Sequence, residues 1–424
     1  MEVKLNADQE KAVREVSGFL LDDTKKEHVV SGAGGTGKTF TVGRVLDSLE
    51  RINTTAALLG AKKLNKVYYT ASTNKAAEVL SNASNGTAST IHNLLGLSVI
   101  NDFRTGKTKL KKTDRNAVIS DAIIVCDEAS MVSAELKALI KQYTQNCKII
   151  YTGDKYQLFP IGEESSPVFD DATISQSILL EPMRQDKDSP IYKLCNQFRK
   201  TVETGKFFPI IGSKGHVDYL TTDQYRAEII QNFVHEPRDD MKILCYTNPE
   251  VVGYNTNIRK LRGLPPTFTA GETIVSNNAA KSMSQDSMLV IEREYLIDDV
   301  SQIIEHPQYK FKCYYVWING SQYLQPVNQD DVKKVLQHLA KKSKQDGDWE
   351  DYFYFKNNIA DLRQKDASTV HKSQGSTYDT VYIDLNDIGK CFNRVDAARL
   401  LYVAVSRPTT RIALYGKLPD YYGG

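Results

Sequence analysis

The 424-residue sequence has no run of the ~18 or more apolar residues that a membrane-crossing helix needs, and residues 1–10 are too polar for a secretory leader. A membrane protein is therefore not expected, and the setting implied is a cytoplasm. Its six cysteines (Cys126, Cys147, Cys195, Cys245, Cys313 and Cys391) form no close pair, which argues against both a zinc-finger spacing and a disulfide framework. Charge of one sign is also missing: 54 Lys plus Arg face 52 Asp plus Glu, so any footprint for a polyanion must be local. No repeat or low-complexity tract stands out. What remains, 41% hydrophobic and 25% charged residues over a length too great for one ordinary core, describes a globular chain of several domains.

Short apolar runs at 28–31, 66–72, 122–126 and 148–152 alternate with helical patterns, which predicts a parallel sheet with crossover helices, an α/β fold. A second set, with strands at 242–246, 379–385 and 411–415 and helices at 249–261 and 396–406, predicts a second α/β unit. Its halves are separated by a segment that is β-rich near 273–317, lysine-rich and helical near 332–344, and aromatic at 349–355, which reads as an inserted domain. A shorter insertion interrupts the first unit.

Gly32-Ala33-Gly34-Gly35-Thr36-Gly37-Lys38-Thr39 fits G-x-x-x-x-G-K-[ST] between a strand and a helix pattern. Glycines let backbone N–H groups curl around phosphates at a helix N-terminus, Lys38 supplies a cation, and Thr39 offers a hydroxyl to Mg²⁺. A flexible glycine turn would need neither lysine nor threonine there. Asp127 and Glu128 follow the apolar strand 122–126, at a strand end facing the nucleotide. Asp127 suits Mg²⁺, and Glu128 suits the activation of water, which separates hydrolysis of ATP from transfer to a substrate.

At this point the sequence resembles the superfamily 1 helicases, in particular the Dda and RecD-like, phage-type branch. Residues 127–131 resemble motif II, and Gly153-Asp154-Lys155-Tyr156-Gln157-Leu158-Phe159-Pro160 resembles motif III. The resemblance runs from Gln9 to Arg407. It implies two RecA-like P-loop domains: 1–184, with a hairpin insertion at 97–115, and 185–262 joined to 366–424, with 263–365 as an inserted accessory domain. It also implies an adenine contact from Gln9, although Asn6 with Gln9 is equally the pattern of a helix capping box. Gln157 would sense the γ-phosphate. Arg184, at the end of a motif IV-like segment, and Arg407, at the end of the motif VI-like Leu401-Tyr402-Val403-Ala404-Val405-Ser406-Arg407, would reach that phosphate from the opposite domain. Pro408 departs from the family pattern.

Strand contacts are implied for Thr73 and Asn74 (motif Ia), His92 (motif Ib, or a core histidine beside Leu94 and Leu95) and His371, Lys372 and Gln374 (motif V), with Gly375 beside the nucleotide. Residues 101–115 hold six basic against two acidic residues, with Thr105-Gly106 as a turn. They read as a pin that splits duplex, with Phe103 stacking on a base; a solvated basic loop is the alternative. The implied activity is ATP-dependent, 5′-to-3′ translocation on single-stranded DNA and unwinding of forked duplex, in phage replication, recombination or repair within the host cytoplasm. The implied form is a monomer, with a replication protein as a partner to be tested. An RNA helicase and a nucleotide-locked binding switch are the rival readings.

Overall fold

The computed structural model describes residues 4–84, 87–113, 118–160, 162–183 and 186–422. Two parallel sheets dominate it. The first has six strands in the order Ser175–Leu179, Glu27–Gly32, Lys148–Gly153, Ala122–Asp127, Lys66–Ala71, Ser89–Thr90. The second has five, in the order Val217–Leu220, Pro408–Tyr415, Tyr378–Asp384, Met241–Cys245, Ala367–Thr369.

Helices cover both faces of each sheet, so successive side chains of a central strand enter opposite cores. Ile123 and Val125 pack with Val16 and Val42, while Ile124 and Cys126 pack on the other side with Leu136 and Ile140. In the second sheet Val381 and Ile383 meet Leu400 and Val403, and Tyr382 meets Tyr225 and Phe233. The cysteines are free thiols, five of them buried; burial pushes the Cys126 thiol up to about 12.

The seven strands expected from apolar runs are all present. Four others in these sheets were not anticipated: Ser89–Thr90, Ser175–Leu179, Val217–Leu220 and Ala367–Thr369 sit at sheet edges, where a strand needs less apolar sequence.

The segment between the two halves of the second sheet forms antiparallel strands, Thr273–Ser276 with Glu294–Leu296 and Leu362–Arg363, and Lys312–Ile318 with Ser321–Pro326, Asp299–Val300 and Ile304–Glu305. Helices Gln329–Asp346 and Glu350–Asn358 complete it. Both connections to the second sheet are clamped by arginine forks: Arg259 pairs with Glu272, and Arg262 with both oxygens of Asp366 at 2.9 and 2.7 Å.

The expected hairpin is strands Leu97–Asn101 and Thr108–Lys112, paired antiparallel. Its loop is longer than the two-residue turn anticipated. The Asp102 carboxylate accepts from the N–H groups of Arg104 and Thr105, and Gly106 turns at φ +69°.

Candidate nucleotide and nucleic-acid site

Strand Glu27–Gly32 leads into the glycine loop, and helix Lys38–Leu46 leaves it. Gly35 and Gly37 hold φ +83° and +82°, a region costly for any side chain. A Cβ on Gly32 would lie 2.8 Å from the Leu179 carbonyl oxygen, and one on Gly37 would lie 2.5 Å from the Gln9 amide nitrogen. Gly34 has open space around it. Thr36 is buried, with its hydroxyl donating to the Ala33 carbonyl. The Lys38 ammonium donates to the carbonyls of Gly32 (2.9 Å) and Ala33 (3.0 Å), folded back along the loop that a phosphate would share.

Strand Ala122–Asp127 ends beside this loop. Asp127 accepts from the Thr152 hydroxyl at 2.5 Å and from the Glu128 N–H at 2.9 Å. Glu128 sits at φ +52°, a strained conformation for a non-glycine residue that turns its carboxyl into the cleft. Burial and the Asp127 charge push that carboxyl above the usual glutamate range, with Arg407 and Lys38 pulling the other way. Thr39 and Asp127 line the same cleft; a hydroxyl and a carboxylate are the hard oxygen donors that Mg²⁺ takes.

Across the cleft, helix Arg394–Val405 and the turn after it place Arg407, which is 5% exposed. Its guanidinium donates to the carbonyls of Val403 and Ser376 and to the Ser406 hydroxyl. Gly375, at φ +80°, and Gln157 line the cleft beside it. Gln374 is buried here and not on a strand-facing surface: its amide donates to Gln157 Oε1 at 2.9 Å and Ser130 Oγ at 3.1 Å. It bridges the two sheets instead of offering a group to nucleic acid.

The capping-box alternative for Gln9 is present, and the placement of the segment before Arg184 is corrected. Gln9 is committed as a capping box: its side-chain oxygen accepts from Asn6 N–H, Asn6 Oδ1 accepts from Gln9 N–H, and the remaining amine donates to the Thr36 carbonyl at 3.3 Å. The segment before Arg184 belongs to the first sheet, because Leu180 and Glu181 donate to Asp8 and the Met183 N–H donates to Gly35. It does not arrive from the opposite domain, and Arg184 itself lies outside the described residues.

Thr73 caps helix Asn74–Ser84 through the Ala76 N–H, and Asn74 is exposed. His92 is half-buried, which holds its imidazole below the usual range. His371 is exposed beside Tyr246, and Lys372 reaches Asn277 of the inserted segment. A groove between the second sheet and that segment is lined by Lys75, Lys372 and Arg363 with Glu292 and Glu294. Phe103, 50% exposed, rests its ring edge-on against Phe353 at 5.7 Å, and its carbonyl accepts from the Trp349 N–H. The Trp349 ring lies so close over Gly106 that a Cβ there would approach to 2.4 Å.

Sequence reasoning missed Ser130, Arg399 and the Asp154 to Tyr402 contact, which also span the cleft. Arg399 and Tyr402 are three residues apart on one helix. In a helix buried almost throughout, that spacing alone does not single them out.

The AAA domain family matches residues 16–163, and the UvrD-like helicase C-terminal domain family matches residues 366–415. The chain is 26% identical over 430 residues to the ATP-dependent DNA helicase dda of Enterobacteria phage T4, covering 90% of this chain and 93% of that protein. It is 24% identical over 505 residues to an uncharacterized protein of Acanthamoeba polyphaga mimivirus, covering 96% and 99%. The crystal structure of the Pif1 helicase from Bacteroides with ADP-AlF3 and single-stranded DNA shares the fold, at TM-score 0.52 and 14% identity over 99% of this chain and 96% of that one. The chain is similar to the superfamily 1 helicases, and among them to the Dda type.

Proposed function

We propose that the chain hydrolyses ATP in the cleft between its two sheets and uses the cycle to move along single-stranded DNA, 5′ to 3′, and to unwind forked duplex. The observation that carries this reading is the arrangement of Lys38, Asp127 and Glu128 at the strand ends of one sheet opposite Arg407 from the other. A site completed only when two domains meet links chemistry to domain motion.

In this mechanism the glycine loop and Lys38 bind the phosphates, and Thr39 with Asp127 would hold Mg²⁺, which supplies charge neutralisation. Glu128 accepts the proton of the attacking water; its raised pKa makes it a stronger base than a free carboxylate. Arg407 stabilises charge that develops on the γ-phosphate, and Gln157 reports its loss. Thr73, Asn74, His92, His371 and Lys372 hold the strand backbone, and the basic hairpin meets the fork. Viral relatives support a role in viral DNA replication, recombination or repair in the host cytoplasm. Among the described residues no helix is long and apolar enough to cross a membrane.

The test is steady-state ATP turnover without nucleic acid, with deoxyribo-oligomers and with ribo-oligomers, followed by unwinding of forks bearing one 5′ or one 3′ tail. Stimulation by DNA and unwinding from the 5′ tail are expected. Turnover without stimulation points to a nucleotide switch, and preference for RNA to an RNA helicase.

A further inference from the structure

Loop 154–159 of the first sheet carries Gln157, and it is held by the second sheet at three places. Helix Arg394–Val405 is capped by Asn393 and packs Ala397, Leu400, Leu401 and Ala404 into the second core. Arg399 and Tyr402, one turn apart, share the side that faces the loop. Arg399 Nη1 donates to the Lys155 carbonyl at 2.8 Å and the Gln157 carbonyl at 2.6 Å, and its guanidinium lies 3.7 Å from the centre of the Phe159 ring. The Tyr402 hydroxyl donates to Asp154 Oδ2 at 2.5 Å, and both residues are buried. The Gln157 side chain is taken by Gln374, which follows His371 and Lys372 in sequence.

The same helix ends at Val405, two residues before Arg407, so a shift of the loop is passed along the helix towards Arg407. Two atoms in this contact set, Arg399 Nε and Gln374 Oε1, are buried without a hydrogen-bond partner among the described residues. Buried polar atoms are ordinarily paired, so the set is not at its hydrogen-bonding optimum, and a second arrangement that pairs them would be favoured once offered.

We propose that Arg399 and Tyr402 are positioning residues that make ATP turnover depend on the strand, by fastening the Gln157 loop to the helix that leads to Arg407. Neither touches substrate. Arg399 sets the main chain on both sides of Tyr156, and Tyr402 fixes the loop's start, so that the direction of Gln157 is decided by the second domain. One nitrogen of the guanidinium reaches both carbonyls while its plane lies over Phe159; a lysine ammonium could bond the carbonyls but has no plane to set against the ring. This inference rests on the helicase reading.

The experiment measures kcat and KM for ATP, with and without saturating oligodeoxythymidine, together with oligodeoxythymidine Kd and thermal midpoint, for Arg399→Ala, Arg399→Lys and Tyr402→Phe. Arg399→Ala is expected to lower the ratio of strand-stimulated to unstimulated kcat about tenfold, with KM for ATP and strand Kd within about twofold of the parent. Arg399→Lys should recover part of the ratio, and Tyr402→Phe, which keeps the ring and its packing, should lower it about threefold. The double variant should lose less than the product of the single effects, because both residues hold one loop. An unchanged ratio in both Arg399→Ala and Tyr402→Phe overturns the proposal, as does a loss of strand affinity that accounts for the fall. A parent protein with no stimulation at all would instead overturn the helicase reading.

Discussion

In the nucleotide cleft, Lys38, Asp127, Glu128 and Arg407 are each fixed by a strand end or helix end of a packed sheet, and the glutamate is buried enough for its acidity to move. The basic hairpin has a slighter foundation, with Leu97 at its base entering the first core. Among the described residues its two strands pair only with each other, Val99 and Phe103 are at least half exposed, and its tip is steadied by Trp349 and Phe353 of the inserted segment. The cleft is thus set by sheets that must form for the chain to fold, whereas the tip of the hairpin borrows its position from a contact between two insertions. Chemistry and strand separation should therefore fail separately.

The largest effects should come from the cleft. Lys38→Ala and Glu128→Gln are each expected to lower ATP turnover roughly 10³-fold. Glu128→Gln should still retain ATP in a binding assay, since the glycine loop and Lys38 are intact. Near-parental hydrolysis by Glu128→Gln would remove it as the base. Arg407→Ala should lower turnover about 10²-fold or more while changing strand affinity less than about threefold.

Arg407→Ala also carries a pH signature. Glu128 must be ionised to accept a proton, and its raised pKa sets the acid limb of the turnover profile above the usual glutamate range. Arg407 is one of the charges holding that pKa down, so its removal should move the limb to higher pH. A limb that stays in place would show that Arg407 does not act on Glu128.

The hairpin comes next. Trp349→Ala should slow fork unwinding about tenfold and leave strand-stimulated ATPase within about twofold, because only the support of the tip is lost. Replacing residues 103–112 by a short Gly-Ser turn should do the same more severely. A fork unwound at the parental rate by either variant would leave the hairpin as a basic guide and erase the contrast with the cleft.

The smallest effect at neutral pH concerns stability. His28 is 2% exposed between the hydroxyls of Ser175 and Ser177, and burial lowers its imidazole to about 4. The folded state keeps it neutral while the unfolded chain takes up a proton below about 6.5. Its contribution is therefore whole above that pH and is lost as pH falls towards about 4, by about 3 kcal/mol at most. Denaturant midpoints measured against pH should fall less steeply in His28→Gln than in the parent. Identical slopes would show that another group sets the acid sensitivity of the first sheet.

The sequence by itself determined the central strands and the glycine loop. A strand buried on both faces must be apolar along its length, as Ile123 to Cys126 is, and a phosphate loop needs glycine, lysine and threonine at fixed spacing. Edge strands such as Ser175–Leu179 escaped notice because polar residues interrupt the apolar run on both faces, Ser175 and Ser177 against His28 and Gln176 on the open side. Tertiary structure alone decided the rest: that the Gln9 amide donates to the Thr36 carbonyl, that Gln374 bridges Ser130 and Gln157, and that Trp349 lands on the hairpin. Each joins residues with several partners in reach, and which partner is taken depends on how two separately folded layers meet, a relation that no local pattern of residues encodes.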